Sequence, residues 1–268
     1  MTRPAAPSSG WYVYGVVPAS QLAADAFAGT SGVHPGQIVV IADDELAAIT
    51  SEVPLSEFGE GPIADNLHDQ AWLEEKVRAH EAVLDAALGR APLVPFRFGT
   101  IYESGDHVRR MLRENAGLGD ALQRLRGTFE LGVKAFLDPH QFERAQLGGQ
   151  QVEPASGGRA YLLQKQRDRR LASDRAAFAA ARASDSHERL AAVAEDARAN
   201  PLQRPELTGR EGEMILNGAY LVNVEREGAF RDALTSLERD NAGEGVHYEL
   251  TGPWPAYNFV GAGDPTAS

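Results

Sequence analysis

The chain has 268 residues, 38 of them acidic and 26 basic, for a net charge of -12, with 43% hydrophobic and 24% charged residues. That is the composition of a globular protein able to bury a core. The acidic balance argues against a general nucleic-acid binder and against docking on anionic lipid, since both need clustered Lys and Arg. No cysteine is present, which excludes disulfides, thiolate nucleophiles, iron–sulfur clusters and Cys-ligated zinc.

The opening MTRPAAPSSG is small and polar, and WYVYGVVP after it is too short for a signal-peptide core. No stretch approaches the roughly 18 apolar residues of a membrane-crossing helix. The expectation is a cytoplasmic protein with no membrane and no nucleic-acid partner, and the length favours two domains. In chain order, Trp11–Val17 and Gln37–Ile41 are β-branched or aromatic runs closed by Pro18 and Asp43, and both predict strands. Glu45–Val53 reads as helix or strand. Leu67, Leu73, Val77, Leu84 and Leu88 recur near helical spacing and predict an amphipathic helix over 66–88, capped by Asn66 and stopped by Gly89.

LVPFRFG at 93–99 predicts a strand in which Val94, Phe96 and Phe98 share one face while Leu93, Pro95 and Arg97 share the other. Arg97 therefore leaves the core. A helix follows from Ser104 to about Leu125, loosened at Gly117 and Gly119, and then a strand over Thr128–Leu137. Residues 138–157 have no sustained period and predict a loop or ragged helix. The Ala-, Arg-, Glu- and Leu-rich stretch from 158 to 199 predicts one long helix or two, stopped by Pro201. A short strand near Glu206, a strand over Met214–Val224, a helix carrying Phe230, Leu234 and Leu237, and a strand over Val246–Leu250 complete the order.

The fold class expected from this order is α+β with two domains. Residues 1–126 form an N-terminal α/β domain, and 127–260 form a C-terminal ferredoxin-like (βαββαβ) domain with a long helical insertion. Residues 261–268 are expected to be a disordered tail. Chemistry-bearing patterns are missing: the seven histidines form neither HExxH nor HxxxH. GLGDAL at 117–122 lacks the strand and third glycine of a dinucleotide loop, and KQRDRR at 165–170 reads as a solvated helix face. No catalytic, cofactor-binding or metal-ligating residue is assigned.

Six stretches are distinctive: WYVYGVV, PLVPFRFGT at 92–100, LRGTFELGVKAF at 125–136, GRAYLLQK at 158–165, MILNGAYLV at 214–222 and ELTGPWPAYNFV at 249–260. In this order they resemble the GvpF/GvpL family of gas vesicle proteins, over nearly the whole chain from Trp11 to Val260. Ala256 departs from the family pattern, which usually has a second proline there. The resemblance implies a non-enzymatic accessory protein of gas vesicle assembly, needing no cofactor. It would bind the hydrophobic shell protein and other accessory proteins during nucleation or growth of the gas-filled shell, in the cytoplasm and at the gas vesicle. The alternative is a ferredoxin-like small-ligand-binding or enzymatic module, because that fold hosts unrelated activities.

Within those motifs the candidate interaction residues are Arg97, Tyr161, Lys165, Trp254 and Tyr257. Trp254 and Tyr257 sit among Pro253 and Pro255 and suit either an interface anchor or a plug at the core's edge. Tyr161 and Lys165, at i and i+4, suit either docking onto the sheet or a contact patch. Arg97 suits either an intrachain carboxylate pair or a docking surface.

Overall fold

Strand β1 (Ser9–Pro18) runs through the centre of the first sheet, as its aromatic and β-branched content requires. The computed structural model describes residues 8–22, 26–147, 158–203 and 212–260. β1 pairs antiparallel with β3 (Leu46–Pro54) on one side and with the two-residue strands β4 (Val94–Pro95) and β5 (Ile101–Tyr102) on the other. β2 (Ile38–Asp43) pairs with β3 and ends the sheet, giving the order β2-β3-β1-β4 with β5 beside β1. The run 45–53 is thus a strand. A bulge between Val13 and Gly15 shifts the β1 register, and Tyr12, Tyr14 and Val17 all contribute to one core cluster.

Helices α1 (Leu55–Phe58), α2 (Glu60–Asn66) and α3 (Gln70–Leu88) follow β3. A single helix over 66–88 is corrected here. Asn66 ends α2, where its amide donates to the Glu57 carbonyl, and Asp69 caps α3 by accepting from the amides of Ala71 and Trp72 at 3.0 and 3.2 Å. A carboxylate two or three residues before those amides satisfies the orphan donors of the first turn. α3 buries Lys76, His80, Val83, Leu84 and Ala87 on one stripe. The expected helix from Ser104 is likewise two, α4 (Gly105–Glu114) and α5 (Gly117–Arg124), with the break at Asn115, whose ψ of 79° is not helical.

The reading of 93–99 as a strand is corrected too. The pairing with β1 covers only Val94 and Pro95, with the Phe96 amide still donating to the Tyr14 carbonyl at 2.8 Å, and Leu93, Val94, Pro95 and Phe96 are all buried, so the two faces do not alternate between core and solvent. A tight turn follows, in which the Arg97 carbonyl accepts from the Thr100 amide and hydroxyl and Gly99 takes a φ of 85°.

The second sheet has the order β7-β8-β6-β9, built from β6 (Thr128–Leu137), β7 (Asp196–Ala199), β8 (Glu213–Asn223) and β9 (Val246–Trp254). α6 (Pro139–Leu147) and α7 (Gly158–Ala191) lie between β6 and β7, and α8 (Glu227–Asn241) lies between β8 and β9. The long helix stops at Ala191 rather than 199, because Asp196–Ala199 pairs antiparallel with Gly218–Leu221. The expected strand near Glu206, residues 148–157 and the 261–268 tail lie outside the described residues. The core between sheet and helices includes Leu137, Phe142, Ala179, Ile215, Leu216 and Val246.

The molecule is a mixed helix-and-sheet protein of the α+β class. It divides into two compact units, Met1–Phe129 with Trp254–Ser268, and Glu130–Pro253. The segment from Trp254 onward groups with the first unit, whereas the sequence places it in 127–260. Tyr257 packs on the first unit's cluster, and Arg124 donates to the Phe259 carbonyl.

Candidate functional site

Of the candidate interaction residues, Tyr257 sits in a polar network whose members all lie in the first unit. Its hydroxyl donates to Glu81 Oε1 at 3.0 Å and lies 3.0 Å from His80 Nε2. A hydroxyl has one proton, already given to Glu81, so Nε2 must carry the imidazole's hydrogen and donate to Tyr257. His80 Nδ1 is then the acceptor for the Tyr12 hydroxyl at 2.9 Å, and the Tyr12 oxygen accepts the Gly99 amide at 3.0 Å. The chain runs in one direction: Gly99 amide, Tyr12, His80, Tyr257, Glu81. It ends on a carboxylate whose Oε2 is buried with no hydrogen-bond partner.

Burial sets the protonation of this relay. Loss of solvent lowers the His80 pKa to about 4, with a hydrogen bond to the Phe96 backbone pulling weakly the other way, so the ring is neutral. Burial pushes the Glu81 carboxyl up, opposed by the bond from Tyr257. Tyr12 is raised by burial, and Tyr257 by burial and then by the Glu81 charge, so both phenols stay protonated. The rings pack around the relay: Tyr12 and Tyr14 centroids are 4.9 Å apart, and Phe98 meets both Tyr12 and His80 edge to face. Tyr14 is held separately, by Ser51 Oγ at 2.8 Å and the Val33 amide at 2.9 Å. Every member of the relay has a hydrogen-bond partner, one carboxylate oxygen excepted, and the bonds tie together β1, α3, the turn after β4 and the C-terminal segment.

The other candidates are placed elsewhere. The Arg97 side chain is exposed at the turn after β4, and Trp254 is 40% exposed at the end of β9. Tyr161 and Lys165 stand on the first turns of α7, whose residues 161–170 are all exposed. Tyr161, Leu162 and Leu163 there keep 67, 61 and 53% of their surface in solvent, so this end of the helix does not pack on the sheet. The KQRDRR run is on the same exposed stretch. Packing of α7 begins at Leu171 and continues through Phe178 and Ala183. Ser186 bonds Tyr248 at 2.7 Å and His187 bonds Tyr220 at 3.0 Å.

Sequence reasoning missed His80 and Glu81. His80 falls on the buried stripe of α3 with Val83, Leu84 and Ala87, and that spacing is the signal that could have found it. Among the described residues, no group of three or more His, Asp and Glu could hold a metal ion, and no helix is long and apolar enough to cross a membrane.

Residues 10–261 match the family model described as gas vesicle synthesis protein GvpL/GvpF. Gas vesicle protein L of Streptomyces sp. (strain CB03234) is 34% identical over 224 residues, which are 81% of this chain and 80% of that protein. Gas vesicle protein L1 of Halobacterium salinarum is 28% identical over 94% of this chain and 91% of its own. The crystal structure of the gas vesicle protein GvpF from Anabaena sp. PCC7120 covers 95% of this chain and 97% of its own, with a TM-score of 0.70 at 20% identity, a likeness of fold. The six distinctive stretches, the full-length match and the shared fold agree, and the chain belongs to the GvpL/GvpF family of gas vesicle synthesis proteins.

Proposed function

We propose that this protein is a non-enzymatic accessory factor of gas vesicle assembly, acting in the cytoplasm and at the vesicle. It binds the hydrophobic shell protein and other accessory proteins during nucleation or growth of the shell. The observation that carries this reading is the family match over residues 10–261. Physics supports it: a subunit with a strongly apolar face aggregates unless a partner covers that face, and a folded partner of net charge -12 keeps the complex dispersed. The exposed Tyr161-Leu162-Leu163 run offers apolar and aromatic contact area, and the neighbouring Lys165 a charge at its rim. We read the second unit as ferredoxin-like, within a two-domain chain. Its order β6-α6-α7-β7-β8-α8-β9 and sheet order β7-β8-β6-β9 favour that reading.

The test is co-expression with the shell protein. Recovery of both as a soluble complex is expected, and failure to co-purify while the shell protein remains soluble overturns the reading. Replacing Tyr161, Leu162 and Leu163 by Ser, and separately Arg97→Ala, locates the contact. A true contact loses binding at an unchanged melting temperature, because these side chains are exposed.

A further inference from the structure

α7 packs along only part of its length. Leu171, Phe178 and Ala183 lie on the second unit's core, and residues 161–170 before them are all exposed. Extended back from Leu171 by three and seven residues, the packing stripe meets Asp168 and Gln164, which bond each other at 3.0 Å in solvent. The side that would continue onto the protein's own sheet is therefore polar. The leucines stand on the other side. Seven residues make almost two full turns, so Arg169 stands over Leu162 and Arg170 over Leu163, about 10.5 Å along the axis. At about 100° per residue, this two-row face lies opposite the stripe of Leu171, Asp168 and Gln164.

The face has an apolar end, with Leu162 and Leu163 keeping 61 and 53% of their surface in solvent, and a cationic end. Residues 161–170 hold four cations and one anion, inside a chain of net charge -12. Arg170 reaches Asp174 at 3.8 Å with both groups largely in solvent, a pair worth little, and Arg169 has no carboxylate partner among the described residues.

We propose that this face receives an acidic amphipathic helix of a partner protein, whose apolar pair covers Leu162 and Leu163 and whose carboxylates meet Arg169 and Arg170. The proposal rests on the reading of the Tyr161-Leu162-Leu163 run as a contact surface and adds the partner's chemistry. Charge selects an acidic partner of limited size. A local charge of +3 attracts carboxylates at short range, while the rest of the chain repels an extended polyanion such as a nucleic acid or an anionic bilayer. Spacing selects a helix. A second helix repeats same-face positions at seven residues, the same distance of about 10.5 Å, whereas a strand sets them about 6.6 or 13 Å apart. An antiparallel partner carries its carboxylates toward its own N-terminus, where the helix dipole favours them. The contact is small and exposed, so the association is of the weak class and salt weakens it further.

Fluorescence anisotropy of labelled synthetic peptides, titrated with the full chain, tests the proposal. The probe is an alanine-based helical peptide with two adjacent Glu and, seven residues on, two adjacent Leu; matched peptides carry Gln or Lys in place of Glu. At low salt the Glu peptide should bind about tenfold more tightly than the Gln peptide, as two exposed ion pairs allow, and about 0.5 M salt should remove most of the difference. The chain as a whole is acidic, so non-specific attraction works against this preference. Arg169→Glu with Arg170→Glu should abolish the preference and bind the Lys peptide more tightly than the wild type does. Leu162→Ser with Leu163→Ser should weaken the Glu peptide severalfold. Unchanged thermal unfolding shows that these variants fold, since all four positions are exposed. A Glu peptide that binds no better than the Gln peptide, or a preference that survives the charge reversal, overturns the proposal. So does capture of the chain by phosphatidylserine vesicles but not by the Glu peptide. Co-purification with the shell protein is a separate readout, so the assembly reading stands or falls independently of these peptides.

Discussion

Removing one oxygen atom, by Tyr257→Phe, tests whether the relay holds the C-terminal segment on the first unit. The hydroxyl meets both His80 Nε2 and Glu81 Oε1, each at 3.0 Å. His80 is 1% exposed, so its N–H is left without water to replace the lost acceptor. A buried polar group stripped of its partner costs about 1–3 kcal/mol. Glu81 is only partly buried and can turn toward solvent or take up a proton, so its share is the smaller one. The expected loss is about 2 kcal/mol for the first unit. At roughly 2–4 °C per kcal/mol for a body of this size, the melting midpoint falls by several degrees. Trp11 and Trp72 belong to that unit while Trp254 ends β9 of the second sheet, so urea unfolding followed by tryptophan fluorescence in a Trp254→Phe background reports on it selectively. Tyr161→Phe, which removes an exposed hydroxyl, is the control and should shift nothing. If Tyr257→Phe leaves the midpoint where Tyr161→Phe leaves it, the relay does not hold the segment and the argument from its geometry fails.

Two further outcomes follow from the same unit. His80 has a folded pKa of about 4 against an ordinary 6.5, so the unfolded chain binds its proton first as pH falls. The stability that comes from keeping this ring neutral is complete above pH 6.5 and is lost between 6.5 and 4, to the extent of about 3 kcal/mol. Glu81 and Asp85, both raised by burial, act in the opposite sense, so the wild type should be compared with His80→Gln, and a difference that does not shrink from pH 7 to 4 refutes the assignment. Gly15→Ala places a methyl group 2.8 Å from both Leu93 Cδ1 and the Val94 carbonyl oxygen. The side chain can yield but the backbone cannot without parting β4 from β1, so a loss of about 1–3 kcal/mol in urea unfolding is expected, and an unchanged midpoint would show that β4 is not held that close.

Periodicity made the long elements legible, because burying one face of a ten-residue strand or a fifteen-residue helix imposes a repeat that any window can read. It failed where one backbone group decided the outcome. Asn66 and Asp69 are both good cap types, and only their partners tell them apart: the Asn66 side chain donates back to the Glu57 carbonyl of α1, whereas Asp69 accepts the first amides of α3. The alternation of Val94, Phe96 and Phe98 continues a strand that the chain leaves after Phe96, where the turn closed by the Arg97 carbonyl and the φ of 85° at Gly99 redirect it, and side-chain pattern says nothing about that turn. Ala and Arg in Asp196–Ala199 favour a helix, yet the pairing of this segment with Gly218–Leu221 outweighs a propensity of tenths of a kcal/mol per residue.

The relay was illegible for a different reason. His80 meets Tyr12 across 68 positions and Tyr257 across 177, and no local pattern encodes a bond between residues so far apart. Yet three of the six distinctive stretches, WYVYGVV, PLVPFRFGT and ELTGPWPAYNFV, supply Tyr12, Gly99 and Tyr257, and α3 supplies the histidine and the carboxylate between them. Segments that look like separate motifs along the chain are one hydrogen-bonded object in space. Tyr257 therefore acts from within the first unit, whereas Tyr161 and Lys165, which no such network claims among the described contacts, keep their side chains in solvent, where a partner can reach them.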